Sequence, residues 1–363
     1  MCHCLLSSHW DAPPSARREC TAPVPLSRTG GGLACPPWSL PTITWILMLP
    51  SSCAPPTADS GHLPLRAPVP QELLGRATVP GLLRLAFTQW AWIFLCWVGM
   101  AREPALTPLF ALLIAGRLHA LGVVLHDAIH LPWRHKGPAL RLLELLAGLP
   151  VANTMEAMRY HHLRHHRDAG LPSDPYRRPP ASPWRQFVVW LRVCPILPFW
   201  VLRGPFGLLA WLLPPLRTPY ARLFLQDRSG KDLTHDAEVL DCARAETAQV
   251  LFHLAVLAAA LRWPSVVGPG YGLPFLLTSG LCAWRLLAEH TPRTVNGRTL
   301  RDVLACTSDH GLGWMGRLLT APLHVGYHVV HHLHPQVSLH HLPRLRDWYL
   351  LRYPDLYPPP RRP

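Results

Sequence analysis

The sequence predicts an all-α integral membrane protein: four transmembrane helices in two hairpins, with a cytoplasmic histidine-rich cap that holds a two-metal site. Three observations lead there. Apolar segments of membrane-crossing character recur in pairs joined by short turns. Three histidine clusters, His126-x-x-x-His130, His161-His162-x-x-His165-His166 and His328-x-x-His331-His332, stand beside those segments. Cationic residues crowd the same side as the clusters. A mean hydropathy of +0.12 over 363 residues argues against a simple soluble globule.

Residues 1–80, rich in Pro, Ser, Gly and Cys, read as a disordered leader. Its one apolar run, Trp38 to Leu49, is too short for the ~20 residues a bilayer requires. The contrast in composition also suggests a translation start at Met48. Residues 81–353 form the membrane domain, and 354–363 a Pro/Arg-rich tail.

The first hairpin runs from Leu82 to Met100 and from Ala105 to Leu125, turning at Ala101-Arg102-Glu103-Pro104. The second runs from Ala248 to Leu261 and from Tyr271 to Ala288, with a short third span ending before Arg262. Between them, Gln186 to Leu213 is interrupted by Arg192, Pro195, Pro198, Arg203, Gly204 and Pro205, which favours an interfacial or re-entrant segment over a pair of full spans. Pro138 to Val151 reads as a further interfacial stretch. Each hairpin must return to the side it left, so all three clusters fall on one face.

That face carries Arg134, Lys136, Arg141, Arg159, Arg164, Arg167, Arg177 and Arg178, whereas the opposite loops hold little beyond Arg102 and Arg262. The positive-inside rule makes it cytoplasmic. The net charge of +14 is therefore read as anchoring to anionic lipid, with no nucleic-acid partner, because the arginines flank apolar stretches instead of forming a stripe. Ten cysteines without a CxxC pair point to reduced thiols.

Imidazoles three or four residues apart share a helix face, so each cluster can aim two or three ring nitrogens at one point. Counting His161 and His162 as competitors, the clusters supply eight ligand roles, too many for one tetrahedral zinc, and two metals are the natural count. His290, ending the fourth span, is a ninth candidate. Asp127, Glu156, Asp168, Asp174 and Glu289 are candidates to hold the other ring nitrogens. His119 reads as a hydrogen-bonded core histidine, and a buried Arg117 would need a partner such as Glu289 or Asp127.

At this point the motifs carry a resemblance. Tyr160-His161-His162-Leu163-Arg164-His165-His166 followed by Asp174-Pro175, and Tyr327-His328-Val329-Val330-His331-His332-Leu333-His334-Pro335 with Leu342-Pro343, look like the histidine boxes of the membrane fatty acid desaturases. The likeness runs from about Gly81 to Tyr353. It implies a non-haem di-iron centre that uses O2 and two electrons to remove hydrogens from an acyl chain of a lipid, acyl-CoA or acyl carrier. By motif position the ligands would be His126, His130, His162, His165, His166, His290, His328, His331 and His332. His161 competes with His162 through a permitted spacing variant. His324 stands where the family often has Asn, so it could add a nitrogen or merely a hydrogen bond.

The same oxidant could instead serve a lipid hydroxylase or a carotenoid ring hydroxylase or ketolase, and a non-enzymatic membrane zinc protein is the reading from another class. No haem, flavin or iron–sulfur motif is visible, so an external electron donor such as a ferredoxin or a cytochrome b5-like protein is implied.

Overall fold

A computed structural model describes residues 68–177 and 182–357. Most of the expected leader, including Trp38–Leu49 and Met48, lies outside the described residues. The folded part nevertheless begins before residue 80. Leu73 and Leu74 pack beside Val337, Arg76 bridges Val337, and the Ser338 N–H donates to the Gly75 carbonyl at 2.9 Å. At the other end Tyr357 is buried, so the expected tail is anchored at its start.

Among the described residues the structure is helical, without strands. α1 (Val79–Arg102) begins where the Thr78 hydroxyl accepts from the Gly81 N–H, with a proline in its first turn where no N–H is needed. A tight turn leads to α2 (Thr107–Ala128). α1 and α2 pack against each other. α2 is apolar around its circumference and is buried over nearly its whole C-terminal half, which makes it the central helix. α3 (Pro138–Ala147) is amphipathic, burying Leu140 and Leu143 while exposing Leu142 and Leu145. α4 (Met155–Asp168) follows, then α5 (Pro183–Val193), α6 (Ile196–Leu212) and α7 (Arg217–Phe224). α8 (Ala237–Arg262), the short α9 (Pro264–Val267) and α10 (Leu273–Glu289) complete the apolar elements. α11 (Leu300–Cys306), α12 (His328–Leu333) and α13 (Leu342–Arg352) close the chain.

Among the described residues, four helical stretches are long and apolar enough to cross a membrane: Val79–Arg102, Pro104–Ala128, Ala237–Arg262 and Pro264–Glu289. Two expectations change in detail. The third is not short, because α8 begins eleven residues before Ala248, with the Asp236 carboxylate accepting from the Val239 N–H at 2.9 Å. Its first turns carry Glu238, Asp241, Arg244 and Glu246, which conceal them from a hydropathy reading.

The second pair, moreover, is not packed as a simple hairpin. α6 lies against both α8 and α10, with its most extensive interface on α8, while α10 packs on α2. α5 and α6 together pass the length and apolarity requirements as one span bent by 41°. The bend falls at Cys194 and Pro195, where the proline has no N–H to give. Ser279 of α10 bridges the gap, accepting from the Leu197 N–H at 3.0 Å and donating to the Cys194 carbonyl. The segment expected to be interfacial or re-entrant is a bent pair of helices, a form open to a re-entrant segment as well as to a broken span, and its second half lies between two apolar helices.

Candidate metal centre

Four elements deliver the histidines. α2 carries His126 near its C-terminus, and His130 follows in the turn beyond. α4 carries the second motif, its N-terminus capped by the Thr154 hydroxyl, which accepts from the Ala157 N–H at 3.3 Å. His290 leaves α10 in extended conformation and bridges Thr307. α12 consists almost entirely of the third motif.

Nine imidazoles converge in two groups. His126, His130, His162, His166 and His331 form one, and His165, His290, His328 and His332 the other; within each group the potential ligand atoms lie within 4.8 Å of one another. In the first, His166 Nε2 stands 2.8 Å from His162 Nε2 and 3.1 Å from His331 Nε2. In the second, His165 Nε2 is 3.2 Å from His332 Nε2, and His328 Nε2 is 3.0 Å from His290 Nε2. The His166 and His332 rings, 4.2 Å apart, join the two groups.

The division follows helix geometry. Every i, i+4 pair (126 with 130, 162 with 166, 328 with 332) stays in one group. The i+3 members, His165 and His331, cross to the other, because a step of three residues rotates the side chain about 60° one way and a step of four about 40° the other. The sequence reading, which gave each motif a single shared face, did not anticipate this.

The donor set suits a cation. Two neutral imidazole nitrogens in contact can share only one proton, and His166 Nε2 meets two others at once, so the cluster presents more lone pairs than protons. His130 Nε2 is buried without a hydrogen-bond partner. Burial, reinforced by the neighbouring rings, pushes His162, His166, His328, His331 and His332 well below the ordinary histidine range. Burial and then Arg159 take His130 down to about 3. These rings are therefore neutral at physiological pH, the form that ligates metal.

The carboxylates divide. Asp174 Oδ1 lies 2.7 Å from His165 Nδ1, and the carboxylate also accepts from the Gly170 and Tyr176 N–H groups. Burial would raise its pKa, but the His165 ring and the Gly170 N–H hold it down to about 2. Glu289 Oε1 pairs with Arg285 at 3.2 Å and stands 3.6 Å from His328 Nδ1 and 3.5 Å from His310 Nε2, at the outer edge of hydrogen-bond reach. Asp127 turns instead to the Ser338 hydroxyl, 3.5 Å away, beside the loop after the third motif. Glu156 pairs with Lys136 at 2.7 Å and Asp168 with Arg167 at 2.7 Å, so these two serve ion pairs away from the rings.

His161 belongs to neither group; its ring faces Tyr176 and Trp200. Neither does His324, which sits in left-handed backbone with φ of 68° in the turn before α12. His119 binds the Leu319 carbonyl at 2.8 Å. Arg117 takes Gln89 and the Leu318 carbonyl as partners, not Glu289 or Asp127. The sequence reading missed Asp309. Its Oδ1 accepts from the Val329 N–H at 3.0 Å in the first turn of α12, and its Oδ2 accepts from Arg346 at 2.8 Å and Tyr357 at 2.9 Å. No local signal marked it, because all three partners lie downstream.

Both groups open on a cavity of about 270 Å³. His126 and His162 of the first group, with His165, His290 and His328 of the second, line one side. Leu118, Val151, Met158, Ile196, Leu197 and Leu286 supply apolar walls. Tyr176, Arg177, Gln226 and Arg228 give it a polar edge.

No curated protein is found to match this chain. A family model described as fatty acid desaturase matches residues 103–362, well over half of the chain. That stretch contains all nine converging histidines and the helices that position them, so motif, geometry and family coincide, and the chain belongs to the fatty acid desaturase family.

Proposed function

We propose that this protein is an O2-dependent, di-iron desaturase that introduces a double bond into the acyl chain of a lipid, acyl-CoA or acyl carrier. One observation carries the reading: two neighbouring groups of converging imidazoles open on the same apolar-walled cavity. His126, His130, His162, His166 and His331 would hold one iron, and His165, His290, His328 and His332 the other. When bound, the pair would supply, with O2 and two electrons, the oxidising power that side chains lack towards an unactivated methylene.

The chain's own residues do the rest. Asp174 fixes the orientation of His165 by taking its Nδ1 proton in a hydrogen bond. Leu118, Val151, Ile196 and Leu197 exclude water and give an extended hydrocarbon chain an apolar wall to lie against. The basic residues flanking the motifs, Arg134, Arg141, Arg159 and Arg164 among them, support a site on the cytoplasmic side, where an acidic ferredoxin or cytochrome b5-like donor would find a complementary surface.

The test is expression in a host whose lipids are profiled, together with metal analysis of the purified protein. A new olefin in the acyl chains and about two irons per chain are expected. A hydroxylated or keto product without a new double bond would reject desaturation, and stoichiometric zinc without O2 consumption would reject the oxidase altogether. Asp174→Asn is expected to lower metal affinity by roughly 10–100-fold while the protein still folds. Equilibrium metal titration reads this directly, and an unchanged affinity would remove Asp174 from the proposed centre.

A further inference from the structure

A second concavity lies outside the histidine cavity. It is larger, about 890 Å³, and is bounded by α2, α5, α10 and the residues from Gly311 to Thr320. Leu112, Trp190, Leu276, Trp284, Met315 and Leu319 form much of its wall, and among the described residues no Asp, Glu, Lys, Arg or His lines it. A charged or strongly polar ligand would lose its hydration there without compensation.

Depth narrows the choice of occupant. α2 and α10 both run towards the histidines. Leu112 and Leu276 each precede the histidine at the end of their helix, His126 and His290, by fourteen residues, or ~21 Å at the helical rise. Trp284 lies ~9 Å before His290 by the same measure. The groove therefore follows α10 over a stretch shorter than the ~30 Å that hydrocarbon occupies, on two helices of membrane-crossing character. Its rim continues into exposed apolar surface at Leu276, Trp314 and Met315.

This groove and the histidine cavity share no lining residue. On α5, Val189 and Val193 face the cavity while Trp190, and Cys194 just past the helix end, face the groove. The Trp190 indole N–H reaches the Gly280 carbonyl on α10 at 3.3 Å, tying the two helices together. On the α2 side His119, which lines the cavity, is bonded to the carbonyl of Leu319, which lines the groove.

We propose that the groove is a lipid site distinct from the histidine cavity, occupied by the acyl chain of a bilayer lipid. It rests on the membrane-spanning part of the reading above and not on the metal or the reaction.

Two glycines make the proposal testable. A Cβ added at Gly280 or at Gly313, both lining the groove, would meet nothing within 4 Å. Gly280→Leu and Gly313→Leu should therefore fill the groove without displacing the wall. The full chain is placed in phosphatidylcholine nanodiscs containing a trace of phosphatidylcholine with a diazirine midway along one acyl chain, irradiated and digested. Adducts are expected on peptides covering Leu276–Trp284 and Gly311–Thr320, and they should fall about tenfold in either variant. Adducts on the exposed α1 residues Phe87, Trp92 and Phe94 should be unchanged, which also reports that the variant is folded and embedded. Labelling of the groove peptides at the wild-type level in both variants, or no labelling of those peptides in the wild-type protein, would overturn the assignment. The readout requires neither iron nor turnover, so it stands or falls separately from the desaturase reading.

Discussion

Replacing His332 by Ala is expected to strip about one iron of two from each chain and to abolish acyl-chain oxidation, whereas His166→Ala should abolish oxidation while retaining more of the metal. The asymmetry follows from the two groups. His332 belongs to the group of four, so its loss leaves three nitrogens. His166 belongs to the group of five, and its loss leaves four, enough for a closed tetrahedral site. Activity should suffer in both by more than the ~10–100-fold that removal of an outer partner costs, because a ligand itself is gone. Metal per chain, measured by plasma mass spectrometry, and double bonds in extracted lipids check the two arms. Retention of both irons by His332→Ala would show that the group of four is not a metal site.

The largest stability effect is expected at Arg203. This side chain is fully buried and donates to Glu246 Oε1 at 2.7 Å, to Gln249 and Asn153 at 3.1 Å each, and to the Ala152 carbonyl at 3.1 Å. Glu246 is equally buried and also accepts from the Tyr220 hydroxyl at 3.2 Å. Arg203→Leu would leave Glu246 an uncompensated buried carboxylate, at a cost of about 3–5 kcal/mol. The midpoint of heat survival in detergent, followed by gel filtration, should fall by roughly 10 °C. Arg203→Leu combined with Glu246→Leu removes both charges and should recover most of that loss. A double variant as fragile as the single one would mean that the pair is needed for its geometry and not for charge balance. The site would feel the change too, since Ala152 and Asn153 lead directly into the cap of α4.

Continuous apolar runs made α1, α2 and α10 legible, because a helix that meets lipid or core on all sides needs no alternation to betray it. α8 was only half legible, since its first turns are polar and Glu246 is tolerated there through an arginine 43 residues away. α6 was harder still. Its interruptions argue against a helix in hydrocarbon unless another helix supplies what they lack, and Ser279 of α10 does so. The nine histidines could be picked from spacing and resemblance. Their division into five and four could not, because it depends on where the ends of four elements meet. Asp174 was visible as the acidic residue trailing a motif, whereas the different parts taken by Asp127, Glu156 and Asp168 are set by side chains that become neighbours only on folding.

Asp309 has a consequence for how the molecule comes into being. Its carboxylate joins the start of α12, Arg346 of α13 and the Tyr357 hydroxyl, gathering the last part of the described chain around the third motif. Neither histidine group is complete without that motif, since one requires His331 and the other His328 and His332. A ribosome delivers six of the nine histidines, and every membrane-crossing helix, before these three emerge. The third motif is thus the last part of either group to be made, and the Asp309 knot, which needs Arg346 and Tyr357, cannot tie until that motif is already in place.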